Sequence, residues 1–350
     1  MRTADLDYPL PEAAIAQQPI EPRDAARLLV DRGSDRPVEH RQVRDLPELL
    51  RAGDLLVVND TRVLPARLAL VRGTGGAVEV LLLDPLDDEH RRWEALVRPS
   101  RKLKVGERVH APHDPAFVVE IGERIGDGAT RAVTLLLGEG LAGSLAGGDP
   151  LAALVAHGEV PLPPYITAPL ADPERYQTVY AERPASAAAP TAGLHLTREV
   201  LGRLAAGGIG MARVELVVGL DTFKPIAADD PADHVIHTES YRVEPEVLDR
   251  CRATRAAGGR VVAVGTTAVR ALESAASRGP SGRTNLFIRR PYDWQVVDVL
   301  LTNFHMPRTT LLLLVDAFVG PRWRDLYDIA LADGYRFLSF GDAMLLERGP

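Results

Sequence analysis

The sequence changes its pattern near residue 150, and this change limits the folds that the chain can adopt. Before it, short runs of branched apolar residues recur between glycine-rich turns, without the three-to-four-residue spacing of a helix. These runs span residues 55–58, 78–83, 93–97, 117–121 and 132–137. Evenly spaced short strands of this kind predict a small barrel or sandwich.

Beyond residue 150, helical and strand-like patterns alternate along the chain. A helix with Thr197 as its capping residue is predicted at 197–206, and a strand-like run follows at 212–218. A helix with proline in its first turn is predicted at 245–257. A buried strand at 261–264 leads into a predicted helix at 268–276. This alternation is typical of an α/β layered unit.

The two patterns together predict two domains. A chain of 350 residues exceeds the size at which a single core usually keeps growing. Because the first fifty residues lack the barrel pattern, we expect the β block to interrupt an α/β domain. The predicted fold class is therefore a layered α/β domain, discontinuous over residues 1–62 and 151–350, with an inserted small antiparallel β-barrel domain at 63–150.

The charge distribution limits the modes of nucleic-acid binding. A net charge of -7 argues against a protein whose whole surface binds nucleic acid, but it allows a local basic patch. Arg98, Arg101, Lys102 and Lys104 form such a run. Contact with phosphates is one interpretation, and an ordinary solvated face is the other.

The chain carries no sign of export or membrane insertion. Residues 1–7 contain acidic side chains where a signal peptide would need basic ones, and the apolar run at 311–315 is far shorter than the roughly 20 residues of a membrane helix. We therefore expect a cytoplasmic protein without a membrane partner. A single cysteine, Cys251, allows no internal disulfide and is interpreted as a core thiol.

Two loops each present one imidazole. Small residues, one proline and one glycine precede His195 in residues 188–194, a composition that predicts no regular element and an exposed histidine. Residues 302–307 form a polar turn that carries His305 after a strand-like run. Two such loops suggest one site, although each could also be an ordinary turn whose histidine caps nearby backbone.

A strand-to-helix turn offers a place for an anion. Gly265, Thr266 and Thr267 follow a buried strand, at a helix start where free N–H groups and hydroxyls meet. Many α/β turns have this composition with nothing bound. The absence of a P-loop motif speaks against a nucleoside triphosphate fold.

Two histidines and a carboxylate cluster at His234, His237 and Glu239. Their spacing fits neither a helical zinc motif nor one face of a strand, so we predict no metal. A histidine held by a carboxylate as general base is one interpretation, and a surface histidine pair is the other.

A polar turn follows the predicted strand at 55–58. An Asx-turn formed by Asp60, beside Asn59, is one interpretation of this turn. The planar fork of Arg62 suits a carboxylate or a phosphate.

On these motifs the chain resembles the queuosine-pathway family of S-adenosylmethionine:tRNA ribosyltransferase-isomerases. The resemblance runs nearly end to end and includes Pro-Thr-Ala-Gly-Leu-His, Val-Gly-Thr-Thr and Leu-Thr-Asn-Phe-His. The matching segments are residues 6–11, 15–19, 27–30, 58–68, 74–76, 161–166, 175–180, 188–195, 264–267, 301–305, 335–337 and 341–344.

The resemblance implies transfer of the ribosyl portion of S-adenosylmethionine to the aminomethyl group of a 7-deazaguanine in a tRNA anticodon. Epoxyqueuosine-tRNA, adenine and methionine are the implied products. A base must take a proton from the carbon beside the sulfonium, and donors must help adenine leave. A monomer with S-adenosylmethionine as co-substrate and no metal is implied.

The resemblance also gives the candidate residues roles. The implied acid–base and supporting groups are His195, His237, His305, Glu239 and Asp342. The implied contacts to S-adenosylmethionine are Gly265, Thr266, Thr267, Thr191, Gly193 and Asp221. The implied contacts to tRNA and the acceptor are Asn59, Asp60, Arg62, Arg98, Arg101, Lys102 and Lys104.

Some segments differ from the usual sequence of the family. Asp221 stands where relatives typically carry glycine, and the segment after His237 also differs. Two alternatives therefore stay open: a transferase of the same family that acts on another acceptor, and a non-catalytic RNA-binding protein.

Overall fold

The computed structural model describes residues 1–126, 129–137, 148–186, 188–219, 225–234, 236 and 238–349. The chain divides into two compact units. The first unit comprises Met1–Arg62 and Pro163–Pro350, and the second comprises Val63–Leu162.

The strands and helices follow in chain order. The strands are β1 (Arg27–Asp31), β2 (Glu39–Gln42), β3 (Leu55–Asn59), β4 (Thr61–Val63), β5 (Arg67–Arg72), β6 (Ala77–Pro85), β7 (Arg92–Arg98), β8 (Arg108–Ala111), β9 (Asp114–Ile125), β10 (Thr130–Leu137), β11 (Gly158–Glu159), β12 (Arg183–Ser186), β13 (Gly210–Leu216), β14 (Glu239–Arg242), β15 (Val261–Val264), β16 (Ser281–Thr284), β17 (Val299–Asn303) and β18 (Ala343–Glu347). The helices are α1 (Leu46–Leu49), α2 (Pro150–His157), α3 (Arg198–Ala206), α4 (Pro245–Ala256), α5 (Gly265–Arg278), α6 (Thr310–Val319) and α7 (Trp323–Ala332). Within the described ranges, no helix has the length and apolar composition to cross a membrane.

The first unit is built on a mixed sheet. Among the described residues, its nine strands lie in the order β16-β14-β13-β3-β15-β17-β18-β1-β2. The four central strands β13, β3, β15 and β17 are parallel, whereas β17 pairs antiparallel with β18. Val264 lies opposite both Val58 and Leu301, so β3, β15 and β17 end at the same edge of the sheet.

The central strands are apolar because both of their sides are buried. Leu55 and Val57 of β3 belong to one hydrophobic cluster, and Leu56 and Val58 belong to another. Helix α5 contributes to the first cluster, and helix α3 contributes to the second. Continuous rather than alternating hydrophobicity is the expected pattern for such parallel strands.

The second unit contains a closed antiparallel barrel. In its described part, six strands follow the order β5-β6-β7-β10-β9-β8, and pairing of β8 with β5 closes the ring. Alternate residues such as Leu68, Val80, Val119 and Val133 are buried, as the interior of a small barrel requires. The predicted α/β class with an antiparallel β-barrel is confirmed at this level.

The chain leaves the second unit later than the sequence predicts. Residues 151–162 were assigned to the α/β domain, but the break lies between Leu162 and Pro163. The reason is local: Gly158 of β11 pairs with Leu68 of β5, and the ring of His157 stacks on Phe117 with centroids 4.4 Å apart. Helix α2 and strand β11 therefore pack with the barrel.

Candidate active site

A cleft lies at the carboxyl ends of the central strands, where the chain leaves β15 and β17. It encloses about 600 Å³ of space, part of it open to solvent. Open α/β sheets commonly bind ligands at this edge. The lining residues come from several loops and helix starts, and they include Thr191, Gly265, Thr266, Thr267, Thr302, Asn303, His305 and Ser339.

The N-terminal end of helix α5 faces this cleft. It begins at Gly265 rather than at residue 268, so Thr266 and Thr267 lie in its first turn. No side chain caps this end, and Gly265 has a φ of 87°, a conformation that a residue with a side chain would adopt only with strain. The first N–H groups of a helix lack intrahelical partners and carry positive potential.

Thr267 adds an unpaired hydroxyl at the same end. Its side chain is 8% exposed, and Oγ1 has no hydrogen-bond partner among the described residues. A buried polar atom without a partner is unfavourable by about 1–3 kcal/mol, and a ligand that supplies one removes this loss. The end of α5 is therefore suited to a carboxylate or another acceptor group.

Asn303 connects the two histidine-bearing loops. Its Oδ1 accepts from Thr191 Oγ1 at 3.0 Å, and its Nδ2 donates to Leu338 O and to His195 Nε2, both at 3.1 Å. His195 Nε2 is therefore the acceptor, and the ring carries its proton on Nδ1. Asn303 therefore brings the two histidine-bearing loops into contact.

His195 itself does not face the cleft. Residues Thr191–His195 form a short 3-10 helix, and the histidine is only 4% exposed. Burial, with smaller contributions from nearby arginines, lowers the pKa of His195 to about 3. The predictions of an irregular loop and an exposed imidazole are wrong, because small residues allow this segment to coil tightly and pack inward.

His305 lines the cleft. Its Nε2 lies 2.9 Å from Thr302 Oγ1, while its backbone N–H donates to the hydroxyl of Tyr327. Burial lowers the pKa of His305 to about 3, so the ring is neutral near pH 7.

The profile of the family described as "Queuosine biosynthesis protein" matches residues 3–346. The chain belongs to this family. The resemblance inferred from the sequence is thereby confirmed.

The relatives match along their whole length. A protein named S-adenosylmethionine:tRNA ribosyltransferase-isomerase from Symbiobacterium thermophilum is 49% identical, over 99% of this chain and 100% of its own. One of the same name from Thermus thermophilus is also 49% identical, over 97% and 98%. The crystal structure of S-adenosylmethionine tRNA ribosyltransferase from Thermotoga maritima, 35% identical, matches 98% of this chain and 99% of its own with a TM-score of 0.54.

Other residues suggested by the family pattern have packing contacts in this structure. A Cβ on Gly193 would lie 2.0 Å from the hydroxyl of Tyr180, so close packing requires glycine there. Asp342 accepts from the backbone N–H groups of Arg27 and Arg336 at 2.9 and 2.8 Å. Neither residue lines the cleft.

The side chains of the turn after β3 also make structural contacts. The side chain of Asn59 bonds to both the N–H and the C=O of Leu216 and so holds β3 to β13. Desolvation raises the pKa of Asp60, and Arg62 pairs with Glu174. None of the three predicted residues lines the cleft.

A second pocket, of about 480 Å³, borders the first, and Leu311 lines both. His234, Glu239 and Arg270 line it together with apolar side chains. Glu239 forms a buried ion pair with Arg270 of α5. His237 and Asp221, which belong to the predicted site, lie outside the described residues.

Sequence reasoning missed Arg270. A signal was available, because residues 265–275 of α5 are small or apolar at most positions, and such a helix is buried on nearly all sides. An arginine in it must be buried and must find a partner. The sequence did not indicate that this partner is Glu239.

The basic run lies on the second unit. Arg98 ends β7, and Arg101 and Lys102 occupy a 3-10 turn at Ser100–Lys102. All four basic side chains are exposed, and within the described ranges none forms an ion pair. Those ranges also contain no group of three or more His, Cys, Asp or Glu side chains arranged to hold a metal.

Proposed function

We propose that this protein is an S-adenosylmethionine:tRNA ribosyltransferase-isomerase. It transfers and isomerises the ribosyl group of S-adenosylmethionine onto 7-aminomethyl-7-deazaguanine in tRNA, and yields epoxyqueuosine-tRNA, adenine and methionine. The observation that carries the proposal is the full-length similarity to relatives of that name.

The donor, S-adenosylmethionine, is proposed to occupy the cleft. Its methionyl carboxylate would lie at the start of α5 and accept from the hydroxyl of Thr267 and from free backbone N–H groups. Two observations support this position: the unpaired buried Oγ1 and the absence of a side-chain cap. Thr266 and Gly265 would contribute through their backbone and through the close approach that glycine allows.

The proton-transfer step is assigned to His305. The carbon beside a sulfonium is acidified, and a base must remove its proton. His305 lines the cleft with a neutral ring, whereas His195 is turned toward Asn303. We infer that His195 positions Asn303 and, through it, the loop that carries Thr191.

The tRNA is proposed to contact the basic run on the barrel. Arg98, Arg101, Lys102 and Lys104 are exposed without ion-pair partners in the described ranges, as side chains that meet phosphates would be. An acidic protein with an RNA substrate must concentrate positive charge locally.

Three finer expectations accompany the proposal. Helices that cover both sides of the mixed sheet would give the layered α/β arrangement. A tRNA substrate implies that the protein acts in the cytoplasm. We further expect a monomer that requires no metal.

The test is a single reaction with three readouts. The protein is incubated with labelled S-adenosylmethionine and tRNA that carries the precursor base, and adenine, methionine and the modified nucleoside are quantified. Equal amounts of the three are expected. tRNA that lacks the aminomethyl group is the control, and release of adenine with it would indicate a different acceptor.

A further inference from the structure

The second pocket contains a buried donor without an acceptor. The guanidinium of Arg270 donates from Nε to Leu286 O at 3.2 Å and pairs through Nη1 with Glu239. Its Nη2 is buried and has no hydrogen-bond partner among the described residues. The whole residue is 7% exposed, so water cannot easily compensate for this loss.

The charge of the pocket favours a neutral ligand over an anion. Glu239 is 5% exposed and its negative charge balances that of Arg270. A free phosphate or carboxylate would meet this carboxylate as well as the guanidinium. A neutral group that offers an acceptor beside donors suits both members of the pair.

The remaining walls favour a flat, largely apolar ligand. They include Leu286, Phe287, Ile288 and Leu314. His234 lies edge-on to Phe287, with ring centroids 6.0 Å apart. Flat aromatic and apolar surfaces beside a few polar groups are typical of pockets that hold an extruded nucleobase.

Guanine-type bases carry the matching edge. Their six-position oxygen is an acceptor, and the neighbouring N1 and N2 carry hydrogens. A carboxylate has about four acceptor positions, so Glu239 can accept from such hydrogens while it keeps its pair with Arg270. An adenine-type base instead has a donor at the six position and an acceptor at N1.

We propose that this pocket holds the 7-deazaguanine of the acceptor tRNA, with Arg270 Nη2 donating to the six-position oxygen and Glu239 accepting from N1 and N2. The inference rests on the proposed function. Leu311 lines both pockets, so a base held here would lie next to the donor in the cleft. This adjacency is what transfer to its aminomethyl group requires.

The test measures binding of anticodon stem-loops that differ in one nucleotide. The target position carries guanine or 2-aminopurine, which lacks the six-position oxygen and the N1 hydrogen. The wild-type protein is expected to bind the guanine loop at least tenfold more tightly, as for one lost pair of base contacts. Arg270→Lys, which keeps the charge but loses the fork, should abolish most of this preference.

Arg278→Lys is the matched control, because Arg278 lies on the same helix but does not line the pocket. A second variant, Phe287→Leu, preserves the ion pair and should weaken both loops about equally through lost stacking. This variant keeps the proposal testable if Arg270→Lys fails to fold.

Three outcomes would overturn the proposal. The first is an unchanged preference for guanine in Arg270→Lys, and the second is an unchanged affinity in Phe287→Leu. The third is a loss of S-adenosylmethionine affinity in Arg270→Lys, measured by calorimetry, with RNA binding intact. Failure of the proposed function would instead appear as absence of adenine release by the wild-type protein with precursor tRNA.

Discussion

The side-chain amide of Asn303 donates to Nε2 of His195 at 3.1 Å, and this contact joins two loops that are far apart in the sequence. Thr191 donates to the oxygen of the same amide, which fixes the amide's orientation. Asn303 lines the cleft and His195 does not, so we expect the histidine to affect the cleft through the asparagine.

His195→Ala should lower stability and turnover together. The change leaves an Asn303 N–H without an acceptor, at a loss of about 1–3 kcal/mol in the free energy of unfolding. His195→Gln offers an oxygen acceptor and should recover part of both, as urea titration and kcat measurements will show. Full activity in the folded fraction of His195→Ala would mean that Asn303 needs no partner.

His305→Gln should lower kcat by about 10² to 10⁴, the usual effect of a lost acid or base. The affinity for S-adenosylmethionine should change far less, since the glutamine remains polar and similar in size. Single-turnover rates and calorimetric titration separate the two quantities. A normal kcat in this variant would mean that another residue removes the proton.

The buried histidines should make the protein less stable in mild acid. Burial lowers the pKa of His195 and of His305 from 6.5 to about 3, so both bind a proton in the unfolded chain before they do so in the folded one. Their contribution is complete above pH 6.5 and is lost as the pH falls toward 3.

Each histidine should therefore remove about 2 kcal/mol between pH 7.5 and pH 5. Urea midpoints at the two pH values measure the loss. Between these two pH values, the free energy of unfolding of His305→Gln should fall by about 2 kcal/mol less than that of the wild type. Equal losses in the two proteins would show that His305 does not titrate in this way.

Thr267→Val should weaken S-adenosylmethionine binding without weakening the fold. The hydroxyl has no partner among the described residues, so its removal leaves the melting temperature unchanged or raises it. Loss of a hydrogen bond to a charged group should weaken binding by about 1 to 3 kcal/mol, measured by calorimetry. Thr254→Val on α4, outside the cleft, is the control. Equal S-adenosylmethionine affinity in both variants would mean that the carboxylate does not bind at Thr267.

Changing Arg98, Arg101, Lys102 and Lys104 together to Ser should weaken tRNA binding. Each lost phosphate contact removes about 0.7 to 0.9 from the slope of log K against log salt. Binding of S-adenosylmethionine should stay intact. Arg252→Ser, at an exposed arginine already paired with Asp249, is the control.

If the fourfold change leaves the salt slope as it was, the run is only a solvated face. The surface around Arg289 and Arg290 would then be the next to examine. Arg290 already pairs with Asp316, whereas Arg289 is exposed.

The sequence by itself determined the elements that depend on neighbouring residues. The strand at Val261–Val264, the helix after it and the short strands of the barrel all follow from hydrophobic spacing and turn residues. Thr197 was predicted to cap a helix, and its side chain accepts from Val200 N–H. Such patterns depend mainly on neighbouring residues, so the sequence alone can indicate them.

Only the tertiary structure decided which polar side chains meet and which way they face. Small residues around His195 were compatible with exposure or with tight packing, and contact with Asn303 decided for packing. The pairing of Arg270 with Glu239 joins residues from a helix and a separate strand. A sequence pattern records which residues are apolar, but the partner of a buried charge is set by strand order and register, which bring distant segments to one edge of the sheet.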